Sequence, residues 1–278
     1  TLVDQFAYPH DGTGILYERM KDYIESKGNN VYLNTPVNRV ITKNNVAVSI
    51  ELDNNEVKEY DYIISSMPLN ILVSRLTNIP DNIKELSSKL KFRSTIIVYL
   101  NVQGQNLFPD NWIYVHNENL KTGRITNFSN WVPHINNNQK STICALEYWC
   151  YEGDDFWNQD NEKIINLAKK ELRQTGLIKE YEISDSFVYR IPKCYPVYSK
   201  GYKEILEPIK SFLSKINNLQ VIGRYGSFKY NNQDHSILMG KLVSENILKN
   251  TKHKLWDINT DYDEYQEKSL ISKTTLNK

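Results

Sequence analysis

Only three cysteines occur in 278 residues, Cys144, Cys150 and Cys194, and no two of them stand at C-x-x-C spacing. That leaves no disulfide framework and no thiolate clamp for a metal; an odd, scattered set reads as buried thiols in a reducing compartment. Neither sign of charge is in surplus, since 34 Lys and Arg stand against 33 Asp and Glu for a net +1. No overall field recruits nucleic acid or an anionic membrane, so neither is expected as a partner. No apolar run approaches the roughly 18 to 20 residues of a membrane helix. The opening "TLVDQFAYPHDGTG" is not a basic start followed by an apolar block. The expected chain is soluble, unprocessed and cytoplasmic.

Motifs for several chemistries are also missing. The five histidines, His10, His116, His134, His235 and His253, form no H-x-H or H-x-x-x-H pair and have no cysteine at ligand spacing, so no metal site is expected. No G-x-S-x-G elbow is present, which removes that class of serine hydrolase. Asp154-Asp155 falls in the turn "YEGDDFWNQD", where a solvated loop or a helix cap is the simpler reading than acid–base chemistry.

What the chain does contain is a regular alternation of short elements. Ile15, Leu16, Met20, Tyr23 and Ile24 recur at spacings of three and four, which predicts an amphipathic helix over 14–26. "NVYLNT", "VNRVITKN", "VAVSIELDNN" and "YDYIISSMP" read as short strands between Asn and Asp turns, and "PLNILVSRL" as a helix with proline in its first turn. After "TNIPDN" come a helix over 83–90 and the strands "STIIVYLNV", "NWIYVHN", "GRITNFSNW" and "STICALEYWCY". Their connections are too short for βαβ crossovers, so the set is expected to be mostly antiparallel. Helices over 161–175 and 202–216 flank the strand "SDSFVYRIP". The apolar run "LQVIG" leads into "GRYGSFKYNNQDHSILMG" and a helix whose stripe is expected at Ile237, Leu238, Leu242, Ser244 and Ile247.

The segment from Gly223 to His235 crowds polar groups between a strand end and a helix start. Glycines let a ligand approach the backbone, and helix N-terminal N–H groups favour an anion or a polar ring edge. Two readings stand side by side: a cofactor loop, or a well-capped turn with Asp234 or Ser236 as the N-cap.

"GRYGSFKYNNQDHSILMGKLVSENIL" resembles the C-terminal FAD-binding segment of the amine-oxidase-like flavoproteins, most closely the version in the UDP-galactopyranose mutases, with protoporphyrinogen oxidases as further relatives. "YPHDGTGILYERMKDYI", "VYLNTPVNRV" and "YDYIISSMP" resemble the block that closes the FAD domain of such proteins. "NWIYVH", "GRITNFSNWVP" and "RIPKCYPVY" resemble their substrate-side strands. The family opens with a βαβ unit carrying G-x-G-x-x-G, whose helix start holds the FAD pyrophosphate. No such motif stands in this sequence. The chain is therefore expected to be a fragment, a natural remnant or one half of a split protein, with a missing N-terminal half supplied in trans and FAD held weakly or not at all without it.

The resemblance implies an α/β fold, an α+β mixture in which 1–80 and 218–252 form a partial FAD-binding, Rossmann-like domain. Residues 81–217 would form an antiparallel-sheet substrate domain with flanking helices, and 253–278 a polar tail. It implies FAD contacts at Val37, Gly223, Asn232, Gln233, Asp234, His235 and Ser236, although Val37 also reads as an ordinary strand valine. On the substrate side it implies Arg124 and Arg224 on the diphosphate of a UDP-sugar, Tyr195 and Tyr230 donating to the same group, and Trp112 and Tyr114 walling the uridine. Taken singly, each arginine reads equally as a strand-edge or surface residue. The implied activity is that of the mutases, ring contraction of a nucleotide sugar without net redox change. The alternatives are an oxidoreductase of the amine-oxidase or protoporphyrinogen-oxidase type, and an inactive fragment.

Overall fold

The computed structural model describes residues 8–132, 134–136 and 140–258. In chain order the first elements are α1 (Gly14–Ser26), β1 (Val37–Lys43), β2 (Val46–Leu52), β3 (Val57–Glu59), β4 (Ile63–Ser65), α2 (Leu69–Arg75) and α3 (Asp81–Ser88). Then come β5 (Phe92–Val102), β6 (Trp112–Tyr114), β7 (Arg124–Asn127), α4 (Phe128–Trp131), β8 (Thr142–Cys150), α5 (Asn161–Gln174) and β9 (Ile183–Pro196). The last are α6 (Tyr202–Leu213), β10 (Leu219–Val221), α7 (Gly223–Gly226) and α8 (Gln233–Leu248). Most of the expected tail, residues 259–278, lies outside the described residues.

The elements divide into two compact units. The first joins Tyr32–Phe92 to residues 195–258. Its two small sheets are the antiparallel β1-β2-β3 and the parallel pair β4–β10, in which Leu219, Gln220 and Val221 stand opposite Ile63, Ile64 and Ser65. "DYIISS" and "LQVIG" thus share one sheet. Asn218 fastens the start of that pair, since its side-chain amide donates to the Ala47 and Asp61 carbonyls and its oxygen accepts from Ala47 N.

One core in this unit gathers Leu69, Leu72 and Val73 of α2, Ile83 of α3, Leu206, Ile209 and Leu213 of α6, and the inward strand residues Ile63, Leu219 and Val221. The sequence had grouped α3 and α6 with the antiparallel sheet; here their apolar faces close the same core as α2. Both α2 and α3 are preceded by a proline, Pro68 and Pro80, at the N-cap position. Proline's missing N–H costs nothing there, because that donor has no intrahelical partner in any case.

The second unit comprises Arg93–Cys194 together with the segment that carries α1. Its five-stranded sheet runs in the order β6-β7-β8-β5-β9, and the pairs β6–β7, β7–β8 and β5–β8 are antiparallel. The strand β5, between β8 and β9, is buried along nearly its whole length, and α5 covers the sheet with Ile164, Ala168 and Leu172.

Three local expectations change. "NVYLNT" forms no strand. β7 ends at Asn127, whose side-chain oxygen accepts from Ser129 N at 3.1 Å and so caps the short helix α4 where a continuing strand was expected. In α8 the fully buried residues are His235, Met239 and Val243, a stripe rotated from the expected one; Ile237 is exposed, while Leu238, Leu242 and Ile247 are partly buried.

Candidate active site

In the first unit the parallel pair positions everything that follows it. Ile222 N donates to Ser65 O at 3.0 Å, and the chain then turns through Gly223 at φ +76°, a left-handed conformation that suits glycine. A Cβ on Gly226 would lie 3.1 Å from Ser65 O, so the turn is pressed against the end of β4. Ser227 Oγ ties the turn off by donating to Gly223 O at 2.6 Å.

The polar loop next reaches Asn231, which is buried. Its carbonyl accepts from Arg224 Nη1 at 2.7 Å, and its amide faces Met239 Sδ at 3.3 Å. Helix α8 starts at Gln233 with Asn232 in the N-cap position, and no side chain caps it. Asp234 and Ser236 are therefore not the cap. Asp234 sits in the first turn with its Oδ1 2.9 Å from Nδ1 of the fully buried His235, and Ser236 Oγ donates back to Asn232 O. Asn232, Gln233 and Asp234 are exposed, so the first turn presents its backbone N–H end to solvent.

Three of the residues expected on the substrate side come together in this unit. The Arg224 guanidinium carbon lies 4.2 Å from the Tyr230 ring centre and 4.8 Å from that of Tyr195. The two tyrosine rings are 5.9 Å apart and within 17° of parallel. Tyr198 supports the group from below, its hydroxyl accepting from Tyr230 N at 2.7 Å while its ring stacks on Tyr202. Val37 opens β1 in the same unit, and its carbonyl accepts from Arg75 Nη1.

In the second unit Trp112 and Tyr114 lie on the exposed face of β6, with Ile113 turned the other way. Trp112 stacks on Trp131 at 5.4 Å, and Trp131 is fixed by its Nε1 donating to Asn111 O and by the Tyr8 ring. Arg124 stands opposite both Tyr114 and Glu147 in the sheet. Its Nε donates to Glu147 Oε1 at 2.8 Å and its Nη2 reaches the same oxygen, so the pair is a close ion pair on a buried carboxylate. The guanidinium carbon lies 5.9 Å from the Tyr114 ring. Arg124 and Arg224 belong to different units.

Sequence reasoning missed Glu147, Trp131 and Arg75. A signal for Glu147 was available: one acid in the otherwise apolar strand "TICALEYWC" is a buried charge, and a buried charge demands a partner. A second such acid, Glu171 of α5, is also buried. It accepts from Lys121 N at 2.6 Å, Thr122 N at 3.0 Å and Tyr148 Oη at 3.0 Å, and so fixes the loop that enters β7 one residue before Gly123-Arg124. Gly123 itself lies beneath Trp149, where a Cβ would come within 2.1 Å of the indole.

A family profile described as flavin containing amine oxidoreductase matches residues 3–248. Among solved structures the chain is similar to reduced UDP-galactopyranose mutase, with TM-score 0.77 and 23% identity over 88% of this chain and 53% of that one. It is similar also to a structure assigned as a protoporphyrinogen oxidase from Exiguobacterium sp. 255-15, with TM-score 0.63 and 16% identity over 80% of this chain and 48% of that one. A third likeness is to the CLA-producing fatty acid isomerase from P. acnes, with TM-score 0.57 and 16% identity over 86% and 52%. The chain thus spans about half the length of the solved structures it matches. At these identities the likeness is one of fold. No curated protein sequence matches the chain.

Proposed function

Because this chain belongs to the family of flavin-containing amine oxidoreductases, we propose that it is the substrate-facing portion of an FAD enzyme that acts on a UDP-sugar. The observation that carries this reading is the cluster in which Tyr195, at the end of β9, meets Arg224 and Tyr230 of the segment before α8, so that the three side chains converge on one spot. A guanidinium offers forked donors to phosphate oxygens, and two phenolic hydroxyls beside it suit the same diphosphate. A cation already lying over both rings also disfavours an ammonium substrate there, because the electron-rich faces that would attract it are engaged. That favours the nucleotide sugar over an amine.

The residues of the first unit fit the cofactor. Gly223 brings its backbone forward with no side chain in the way, and the first turn of α8 directs N–H groups outward. Two buried polar atoms beside this turn and loop, Ser65 Oγ and Asn231 Oδ1, have no hydrogen-bond partner among the described residues. A polar ligand at this place would satisfy such atoms. Gly223, Asn232, Gln233, Asp234, His235 and Ser236 would hold the ribityl chain and ring edge, and Val37 the adenine end. When bound, FAD supplies either a nucleophile toward the anomeric carbon in its reduced form or a hydride acceptor in its oxidised form. The first unit's own part is to hold and orient the diphosphate with Arg224, Tyr195 and Tyr230, while in the second unit Arg124 is engaged by Glu147. The cytoplasm is the chain's proposed compartment.

The test is calorimetric titration of UDP into the FAD-loaded protein reconstituted with a nucleotide-binding βαβ segment, oxidised and then reduced. Binding in at least one state is the expected result. If UDP binds in neither state and an amine reduces the flavin, the oxidoreductase alternative replaces this reading; if neither ligand acts, the chain is an inactive remnant.

A further inference from the structure

Tyr230 is carried on a short run of unusual backbone. Phe228, two residues before it, stands at φ +49°, in the left-handed region that bulky side chains rarely adopt. Such a conformation persists only where the surroundings over-determine it. Here the Phe228 ring is buried, edge-on to Phe92 with centres 5.0 Å apart and against the rings of Tyr198 and Tyr202 at 6.1 and 6.3 Å. On the other side of Tyr230, Asn231 is buried and its N donates to Lys229 O at 2.9 Å. Between these two anchors Tyr230 is 45% exposed, and the Tyr198 hydroxyl accepts from its N–H at 2.7 Å.

Tyr198 is set by its own local sequence. β9 ends at Pro196, Val197 N donates to Lys91 O, and Ser199 N and Tyr202 N close successive turns on Val197 O and Ser199 O. Gly201, at φ +83°, lets the chain turn into α6. The turn stacks Tyr198 on Tyr202, the first residue of that helix, with ring centres 4.7 Å apart and planes within 21° of parallel. The stack fixes the direction of the phenol and so the place of its oxygen.

We infer that Tyr198 is a positioning residue for the Arg224 cluster: its hydroxyl holds the Tyr230 backbone so that the Tyr230 ring stays over the Arg224 guanidinium, 4.2 Å from it. This rests on the diphosphate reading of Arg224, Tyr195 and Tyr230 above. The role is separate from packing. The stack on Tyr202 and the contact with Phe228 need only a ring, which phenylalanine also has, whereas the bond to Tyr230 N needs the oxygen. With phenylalanine at 198 the Tyr230 N–H loses this acceptor and the loop between Phe228 and Asn231 gains freedom. The guanidinium then loses one of the two rings that orient it, while its bond to Asn231 O remains. Its forked donors no longer point in one fixed direction, so the consequence falls on diphosphate binding.

The experiment compares the wild type with Tyr198→Phe. Tyr198 is 47% exposed and the ring is kept, so the variant should fold, with matching circular dichroism as the check. In the 278-residue chain, NMR with labelled arginine reads the ring-current shift of the Arg224 side-chain protons, assigned through Arg224→Lys. These protons should lie upfield in the wild type and move toward the free-arginine position in Tyr198→Phe, and the Tyr230 amide should exchange with deuterium about tenfold faster. In the FAD-loaded protein reconstituted with a nucleotide-binding βαβ segment, Tyr198→Phe should weaken UDP binding about three- to tenfold in calorimetry. Added to Arg224→Ala it should cause no further loss, because both act through one group. Unchanged Arg224 shifts, unchanged Tyr230 exchange, UDP affinity equal to that of a wild type that binds, or a loss that adds to that of Arg224→Ala would each overturn the inference. If the wild type does not bind UDP, the proposed function falls, and the NMR comparison, which needs neither flavin nor UDP, decides by itself whether Tyr198 positions the cluster.

Discussion

At the scale of single residues, the two arginines do different work although both were matched to one ligand. Arg224 is set by a backbone carbonyl and two ring faces, and a charged contact to phosphate is worth about 1.5 to 3 kcal/mol. Arg224→Ala should therefore weaken UDP binding about ten- to a hundredfold, measured by calorimetry, and Arg224→Lys should recover only part, because an ammonium lacks the fork. Arg124 is bound to the buried Glu147, so Arg124→Ala strands a carboxylate. Because Arg124 is itself partly exposed, the expected loss is about 2 kcal/mol rather than the full value for a buried pair. Adding Glu147→Gln to Arg124→Ala should restore most of it, and denaturant melts of the four proteins in that cycle measure the coupling. Additive losses would mean that the pair contributes nothing to stability.

At the scale of elements, α5 and β8 brace the entry to β7. Glu171 accepts from two successive backbone N–H groups and from Tyr148. Glu171→Gln keeps the shape but turns an amide N–H₂ toward those donors, and should cost about 1 to 3 kcal/mol in thermal unfolding. Tyr148→Phe, which removes one donor and leaves the backbone contacts, should cost less. β8 also carries two of the cysteines. Burial pushes the Cys144 thiol up to about 12 and the Cys150 thiol up to about 11. Both stay protonated below those values, and the thiolate is the reactive form. An aromatic disulfide reagent at pH 8 should leave both unlabelled in the folded protein and label them rapidly in denaturant; fast labelling of the native chain would contradict their burial. α1 is the opposite case, an amphipathic helix of 13 residues with none buried. Of the apolar stripe expected from periodicity, Ile15 is partly buried while Leu16, Met20, Tyr23 and Ile24 are exposed.

At the scale of the whole molecule, each unit has its own core, and no described helix is long and apolar enough to cross a membrane. The residues proposed to hold the cofactor lie in the first unit, beside a sheet of two parallel strands. On the proposed reading the pyrophosphate site, whose charge-assisted hydrogen bonds contribute about 1.5 to 3 kcal/mol each, lies outside this sequence, and the 278-residue chain purified alone should be colourless. With a nucleotide-binding βαβ segment supplied, fused or in trans, the flavin absorbance should co-purify. A folded, completed protein that remains colourless would count against any flavin role.

By itself the sequence determined the strands and helices whose signal is local: α1, β1, β2, α2, β5, β8, α5 and α6 follow from periodicity and turn residues, and the ordered Asn-Gln-Asp-His block pointed to the family that the profile match bears out. These features are written in neighbouring residues, and hydrophobic period and turn chemistry act over a few positions. Partner choice across the chain was decided only by tertiary structure. Arg124 meets Glu147 because β7 and β8 pair in that register, and a shift of one residue would turn Glu147 to the other face. Helix α8 buries His235, Met239 and Val243 because Leu255 and Ile258, contributed by a later turn, pack on that side. A helix with apolar residues on more than one face does not choose by itself which one to bury; the surface it meets does.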